Sequence, residues 1–463
     1  MNLDDVIAAV STPHGEGAIG IVRACGYGAF GVAAKLIQGQ RPDPESWAPG
    51  RARHRVLRDP RTGERLDDAL VLAFDARRSA VGLDLVEFQC HGSPLILSRV
   101  LDALLAAGAR PANPGEFSLR AFLCGKMDLA QAEAVCDLIR ARTQSAQRLA
   151  MRQQAGGLSK EVAAIRGELE GLLAHLEASI DFGEEIGDVP PARVADEAAR
   201  ALSRVDALIA TGRIGRPYRE GVRLAIVGRP NVGKSSLLNA LLRRDRAIVA
   251  DTPGTTRDTI EEEANILGIP VVAVDTAGLR QTQDALELLG IRRTEEAAST
   301  ADLVLVVVDA SAGWGPDDAE AVRRVGGGPM LCVLNKIDLV DEARVTALMN
   351  SLPPMGGEWG AAPVSARTRA GLDALERAIA RALTGSESLD PDGVIVSNAR
   401  HLEALREASA ALARVVEAAR ASSTPDLLAV DLRAAAAALG RITGDDILEG
   451  LLDRVFSEFC IGK

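Results

Sequence analysis

The chain has 463 residues, 47% of them apolar and 25% charged, with a formal net charge of −11. That length holds about three domains, and the scarcity of aromatics, 3%, favours helices packed on small residues. The acidic balance excludes a protein that attracts nucleic acid by its overall charge, so any such contact needs a local basic patch or a partner that supplies one.

The start, MNLDDVIAAVSTPHGEGAIG, is acidic and has no basic segment ahead of a long apolar core, so it does not read as a signal peptide. No window reaches 18 uninterrupted apolar residues, and no membrane span is expected. Six cysteines (Cys25, Cys90, Cys124, Cys136, Cys332, Cys460) form no C-x-x-C pair, the pattern of reduced thiols in a cytoplasmic protein.

Residues 1–115 mix short apolar runs (GAIGIVRA, DALVLAF, LVEFQCHG) with Gly and Pro turns and one helical run, SPLILSRVLDALLAAGAR. The pattern predicts an α+β domain. From Phe117 to about Ile209, apolar residues recur at helical spacing in DLAQAEAVCDLIRARTQSAQRLAMRQQ and KEVAAIRGELEGLLAHLEASIDF. From Val222 to about Leu383, β-branched runs (VRLAIVG, GIPVVAVD, ADLVLVVVDA, MLCVLNK) alternate with amphipathic helices, as in a doubly wound α/β domain. After SESLDPDGV the chain returns to helix. The expected fold is multidomain: an α+β N-terminal domain over 1–117, a discontinuous α-helical domain over 118–216 and 385–463, and an inserted α/β P-loop domain over 217–384.

GRPNVGKSS, Gly228 to Ser236, matches G-x-x-x-x-G-K-[ST] between a strand and a helix. There the backbone N–H groups of Asn231, Val232, Gly233, Lys234, Ser235 and Ser236 can wrap phosphates, Lys234 can reach the β and γ oxygens, and the Ser235 hydroxyl can bind Mg²⁺. DTPGTTRD follows (Asp251, Thr252, Pro253, Gly254, Thr255, Thr256), in which Thr255 and Thr256 offer a second Mg²⁺ hydroxyl. DTAG (Asp275, Thr276, Ala277, Gly278) ends a buried strand, where a carboxylate can hold a Mg²⁺-bound water and a Gly amide can meet the γ-phosphate. NKID supplies Asn335, Lys336 and Asp338; Asp338 can accept from guanine N1–H and its exocyclic amine, which adenine cannot match. SAR (Ser365, Ala366, Arg367) can support the base. Five such strings in order on strand ends describe a GTP site. Leu279 stands where many small GTPases carry a water-orienting glutamine, Asn231 could coordinate a monovalent cation, and Glu287 is either a water-positioning group or a solvated helix face.

With GEFSLRAFLCGKMDLAQAEAVCDLI upstream and FCIGK at the end, these strings resemble the MnmE (TrmE) family of tRNA modification GTPases over the whole chain. The resemblance implies an N-terminal domain that binds a tetrahydrofolate derivative (5,10-methylene- or 5-formyl-) and forms a homodimer, with Arg23, Glu87, Lys126 and Lys463 as folate contacts. It implies potassium held by Asn231 and Thr255 with the carbonyls of Ala250 and Thr252, Mg²⁺ held by Ser235 and Thr256, and Glu287 as catalytic glutamate. It implies a flavoprotein partner of the MnmG type, using FAD and NADH, in building an aminomethyl or carboxymethylaminomethyl group at C5 of the tRNA wobble uridine. An Era-like switch in ribosome assembly is the rival reading; the Ala/Leu-rich tail lacks the basic RNA module such proteins carry. Two departures stand out: Cys90 and Ser93 in QCHGSP, where a Gly-rich turn is expected, and QTQD after Arg280.

Cys460 fails the C-a-a-X lipidation pattern at Gly462 and Lys463. It is either a packed apolar residue or a thiol that assists the one-carbon chemistry the resemblance implies.

Overall fold

Alternating apolar residues and closely placed Gly and Pro turns build the first of two sheets. A computed structural model describes residues 3–42, 44–47, 49–182, 185, 187, 189–242, 262–274, 298–325, 328–353, 360–386, 393–446 and 450–462. The chain divides into two units, Met1–Cys136 with Gly440–Lys463, and Asp137–Leu439.

In the first unit, strands β1 (Ile7–Val10), β2 (Gly17–Cys25), β3 (Arg53–Arg58), β4 (Arg65–Phe74), β5 (Leu85–Gly92) and β6 (Arg110–Pro111) pair in the order β3-β4-β5-β2-β1-β6. Only the β1–β6 pairing is parallel. One face is apolar by alternation: Val22, Ala24, Ala69, Val71, Ala73, Val86 and Phe88 are buried with residues of the helices Ala29–Ala34 and Pro94–Ala106. At Gly92 a Cβ would stand 2.3 Å from the Gly17 carbonyl, so only glycine lets β5 approach β2 there. The helix Glu116–Leu123 carries Glu116 and Arg120, both side chains fully buried, into a charge network with Arg110 and Asp5. The last helix, Leu451–Ser457, and Phe459 complete this unit. Phe456 and Phe459, with ring centroids 5.1 Å apart, pack with Leu119, Leu129, Ala132 and Cys136.

In the second unit, β7 (Val222–Val227), β8 (Glu262–Ile266), β9 (Ile269–Val274), β10 (Leu303–Asp309), β11 (Met330–Asn335) and β12 (Ala361–Pro363) pair in the order β12-β11-β10-β7-β9-β8. All neighbours are parallel except β8 and β9. A parallel sheet is covered on both faces, which is why β10 and β11 are near-continuous apolar runs. Around it stand the helices Lys234–Leu242, Pro316–Val325, Glu342–Ser351 and Leu372–Thr384.

The helical part of this unit includes Gln144–Gln154, Gly157–Asp181, Pro191–Glu220 and Ala399–Arg420. Pro191–Glu220 meets the returning chain through two glycines. A Cβ at Gly212 would lie 2.3 Å from Leu402 Cδ2, and one at Gly215 would lie 2.3 Å from the Val396 carbonyl. The Val396 N–H donates to Thr211 Oγ1 at 3.0 Å, and Gln153 Nε2 donates to Ser397 Oγ at 3.0 Å. The chain therefore enters the α/β segment at Val222 and leaves it at Ile395 beside the same helix, the geometry of an insertion. Among the described residues no helix is long and apolar enough to cross a membrane.

Candidate functional site

The loop between β7 and the helix Lys234–Leu242 needs backbone that L side chains rarely adopt. Gly228 has φ 147°, and its Cβ would meet the Val307 carbonyl at 2.4 Å; Gly233 has φ 98°, and its Cβ would meet Asn335 Nδ2 at 2.3 Å. Asn231, at φ 64°, is one of the few residues other than glycine that tolerates this region. Lys234 Nζ donates to the carbonyls of Gly228 and Arg229, both at 2.8 Å. Burial pushes its ammonium below its ordinary value. Neutral carbonyls are weaker partners for this cation than phosphate oxygens, so the lysine is placed to exchange them for an anion at the helix N-terminus. Ser235 and Ser236 open that helix.

The far end of the site is braced by the NKID strand end. Asn335, buried at the end of β11, donates from Nδ2 to the Val232 carbonyl at 2.8 Å and accepts the Ala366 N–H at 3.0 Å. Lys336 donates to the Asn231 carbonyl at 2.7 Å and to Asp309 Oδ2 at 2.6 Å. Burial opposes ionisation of Asp309, but Lys336 and Ser311 hold its carboxyl below the usual range. Asp338 accepts from Ser365 Oγ at 2.5 Å and from Arg367 Nη2 at 2.5 Å and Nε at 3.1 Å, and these donors hold its carboxyl below the usual range. A cavity of about 680 Å³ is lined by Gly233, Ser236, Asn239, Ala240, Asn335, Lys336, Asp338, Leu339, Ala366, Arg367 and Arg369. That volume suits a nucleotide-sized ligand.

The fold thus brings Asn231, Val232, Gly233, Lys234, Ser236, Asn335, Lys336, Asp338, Ser365, Ala366 and Arg367 to one cleft. Ser235 and Asn231 are the described members of the Mg²⁺ and potassium sets. Ala250, Asp251, Thr252, Pro253, Gly254, Thr255, Thr256, Asp275, Thr276, Ala277, Gly278, Glu287 and Lys463 lie outside the described residues. Asp309 does not stand out in the sequence, although a carboxylate closing a buried parallel strand is the signal for it. Arg229, whose Nε donates to the buried Asp318 at 2.8 Å, fixes the loop from its other side and is equally inconspicuous in the sequence. Among the described residues no three His, Cys, Asp or Glu side chains cluster as a metal site; a P-loop Mg²⁺ site needs none, because hydroxyls and phosphates supply the ligands.

The first unit holds a second cluster. Arg23 on β2 and Glu87 on β5 are cross-strand partners, with Nε 2.8 Å from Oε1. Arg23 Nη1 also donates to the Gly462 carbonyl at 3.4 Å. Gly462, at φ 93°, runs against β1, where its Cβ would stand 2.4 Å from the Val10 carbonyl. Lys126 is not joined to this pair; its Nζ donates to the Arg77 carbonyl at 2.9 Å. Cys460 is exposed, so the packed reading of that thiol does not hold; its neighbour Phe459 takes the buried place, and the Cys460 carbonyl accepts the Gly115 N–H at 3.4 Å. Cys90 is buried in the sheet core, where burial pushes its thiol up to about 12, so it is inert. Ser93 stands at the N-terminus of the helix Pro94–Ala106 without a side-chain capping bond.

The MnmE helical domain model matches residues 129–460, and that of the GTP-binding protein TrmE N-terminus matches 6–126. The tRNA modification GTPase MnmE of Moorella thermoacetica is 45% identical over 463 residues, covering 100% of both chains. The chain belongs to the MnmE family. The Thermus thermophilus member, likewise named tRNA modification GTPase MnmE, is 44% identical over 463 residues with the same full coverage of both. Among solved structures, Era in complex with MgGDPNP and a 16S ribosomal RNA fragment is 31% identical, over 41% of this chain and 66% of that one, with a TM-score of 0.29. The protein is a P-loop GTPase, with the N-terminal and helical parts of its family and a GTPase segment inserted within the helical part.

Proposed function

We propose that this MnmE-family chain hydrolyses GTP as one component of a cytoplasmic complex that installs an aminomethyl or carboxymethylaminomethyl group at C5 of the tRNA wobble uridine. The observation that carries this reading is end-to-end identity of 45% with a tRNA modification GTPase, which does not favour an Era-like ribosome-assembly switch. Residues 1–117 bind a tetrahydrofolate one-carbon donor and form a homodimer; residues 118–216 and 385–463 form the helical domain; residues 217–384 hydrolyse GTP. Support for the folate site comes from Arg23, Glu87 and the Gly462 carbonyl meeting across 439 residues of sequence, with Cys460 exposed beside them. Lys126 and Lys463 are assigned to the same ligand. Potassium sits with Asn231, Thr255 and the carbonyls of Ala250 and Thr252, Mg²⁺ with Ser235 and Thr256, and Glu287 positions the attacking water. An FAD- and NADH-dependent flavoprotein of the MnmG type is the partner.

The test is mass spectrometry of tRNA nucleosides from cells lacking the protein, complemented with wild type or Cys460→Ser. Loss of the modified uridine, restored by wild type, is expected; unchanged nucleosides in the deletion strain would overturn the reading. Failure of a folded Cys460→Ser chain to restore it would assign the thiol a chemical role. Asn231→Ala should abolish potassium stimulation of hydrolysis with nucleotide affinity retained. Glu287→Ala should lower kcat about 100-fold, within the span of positioned proton-transfer groups.

A further inference from the structure

The stretch Arg51–Arg58 reads RARHRVLR, four arginines and a histidine in eight residues without one carboxylate, in a chain of net charge −11. Its last six residues, Arg53–Arg58, form β3, the edge strand of the first sheet. Along its open side β3 meets Leu36 and Ile37 only at Leu57 and Arg58, so the segment ahead of Val56 has no strand beside it among the described residues. Arg51 and His54 are exposed, and Arg53, Arg55 and Arg58 are half-buried. Arg78, exposed on the turn after β4, reaches the same end of the strand and donates to the Pro49 carbonyl at 2.9 Å.

None of these five arginines pairs with a carboxylate among the described residues. Arg53, Arg55 and Arg58 each give one N–H to a backbone carbonyl, of Ser46, His54 and Gly63 respectively. A guanidinium carries five donors in a planar fork, so most of each fork remains open. Their neighbours differ: Arg61, Arg65 and Arg99 are all paired, with Asp59, Asp68 and Glu64. Charged side chains on an edge strand also discourage edge-to-edge aggregation. One or two charges of either sign serve that purpose. Four of one sign, left unpaired beside arginines that are paired, exceed it.

We propose that the β3 edge, with Arg51, Arg53, Arg55, Arg58 and Arg78, binds the phosphate backbone of RNA; the inference rests on the tRNA reading above and assigns the surface by which this acidic chain holds its substrate. Alternation along the strand puts Arg53 and Arg55 on one face about 6.8 Å apart, half-buried at the sheet's edge on the side that carries Val71 and Ala69 of β4. Guanidinium groups bind phosphate oxygens in bidentate fashion. Contacts of this kind position an RNA without reading its sequence.

The test uses the full chain and fluorescein-labelled tRNA, with binding followed by anisotropy from 50 to 200 mM KCl. The variant replaces Arg51, Arg53, Arg55 and Arg58 by Gln. Its affinity should fall about tenfold or more, and the slope of log K against log salt should shrink by about 3, near one for each phosphate no longer neutralised. The same four positions changed to Lys should keep most of the slope, and GTP hydrolysis by both variants should equal wild type. If the Gln variant fails to fold, the exposed pair Arg51→Gln and Arg78→Gln gives the same comparison with a smaller change in slope. An unchanged affinity and slope would overturn the proposal, as would wild-type chain that binds no tRNA. Loss of binding to phosphatidylglycerol vesicles with tRNA binding intact would overturn it in favour of a membrane surface. Complementation separates this from the parent reading: a Gln variant that binds tRNA normally, in a strain whose modified uridine wild type restores, defeats the surface and leaves the function standing.

Discussion

Both carboxylate oxygens of Asp338 are engaged by the protein itself, one by the Ser365 hydroxyl and the other by the Arg367 fork. Guanine can take two hydrogen bonds here only if it displaces Arg367, whose side chain is 75% exposed and so costs little to release. Arg367→Ala should therefore tighten GDP binding, by about 1 kcal/mol or roughly fivefold; a titration with fluorescent GDP that shows unchanged or weaker binding would refute the competition. Asp338→Asn should do the opposite, weakening GDP binding because charge-assisted bonds disappear and an amide donor faces the guanine N1–H. Asp338 was legible in the sequence because its string is contiguous and falls on a strand end. Arg23 and Glu87, 64 residues apart, were not legible from periodicity at all. Their partnership depends on the β2–β5 register, which one residue of slip would destroy, so only the family resemblance pointed to them.

At the scale of elements, the two glycines of Pro191–Glu220 make different demands. An added methyl at Gly212 meets the movable end of Leu402, whereas at Gly215 it meets the fixed carbonyl of Val396. Gly215→Ala should cost about 2–3 kcal/mol and Gly212→Ala clearly less, as read from urea unfolding midpoints; equal costs would show that the Val396 backbone yields. The α/β pattern of the inserted segment was readable from its β-branched runs. The partner of Pro191–Glu220 was not, because helical period reveals an apolar face but not what covers it. The helix Glu116–Leu123 offers a pH test. Burial raises the pKa values of Glu116 and Asp5, but Arg110 and Arg120 hold both carboxyls below their ordinary values of 4.5 and 3.8. Depressed folded-state values mean the stabilisation is full above about pH 5 and is lost as pH falls through the folded-state values. Glu116→Gln should cost about 3 kcal/mol at pH 7, leaving buried Arg120 short of a charge partner. The variant's stability should also vary less than wild type's between about pH 5 and 3. A parallel pH profile would show that the network contributes no linked protons.

At the scale of the whole chain, the first unit is discontinuous because it takes in the chain's last segment, whereas Asp137–Leu439 is one continuous stretch whose helical part carries the α/β insertion. Ending the chain before Gly450 removes Phe456 and Phe459 from the cluster with Leu119 and Leu129. Hydrogen exchange should then rise across Glu116–Leu123 and the adjoining Leu129–Arg140, with GDP affinity unchanged; protection equal to wild type would show that the aromatic pair is dispensable. This closure was hidden in the sequence because the tail's few aromatics carry no address. FCIGK says nothing about which strand its glycine will touch, and only the three-dimensional path sets Gly462 against Val10.

That path has a consequence for how the molecule is born. A ribosome adds roughly 5–20 residues per second, so the 439 residues between Arg23 and Gly462 separate the two partners by roughly 20–90 s of synthesis. The early sheet can pair during that interval, but Leu119, Phe122 and Leu129 wait uncovered until the final helix emerges. Every nascent chain therefore carries this apolar seam for most of its translation, and fragments that end within the inserted segment should aggregate more readily than the full chain.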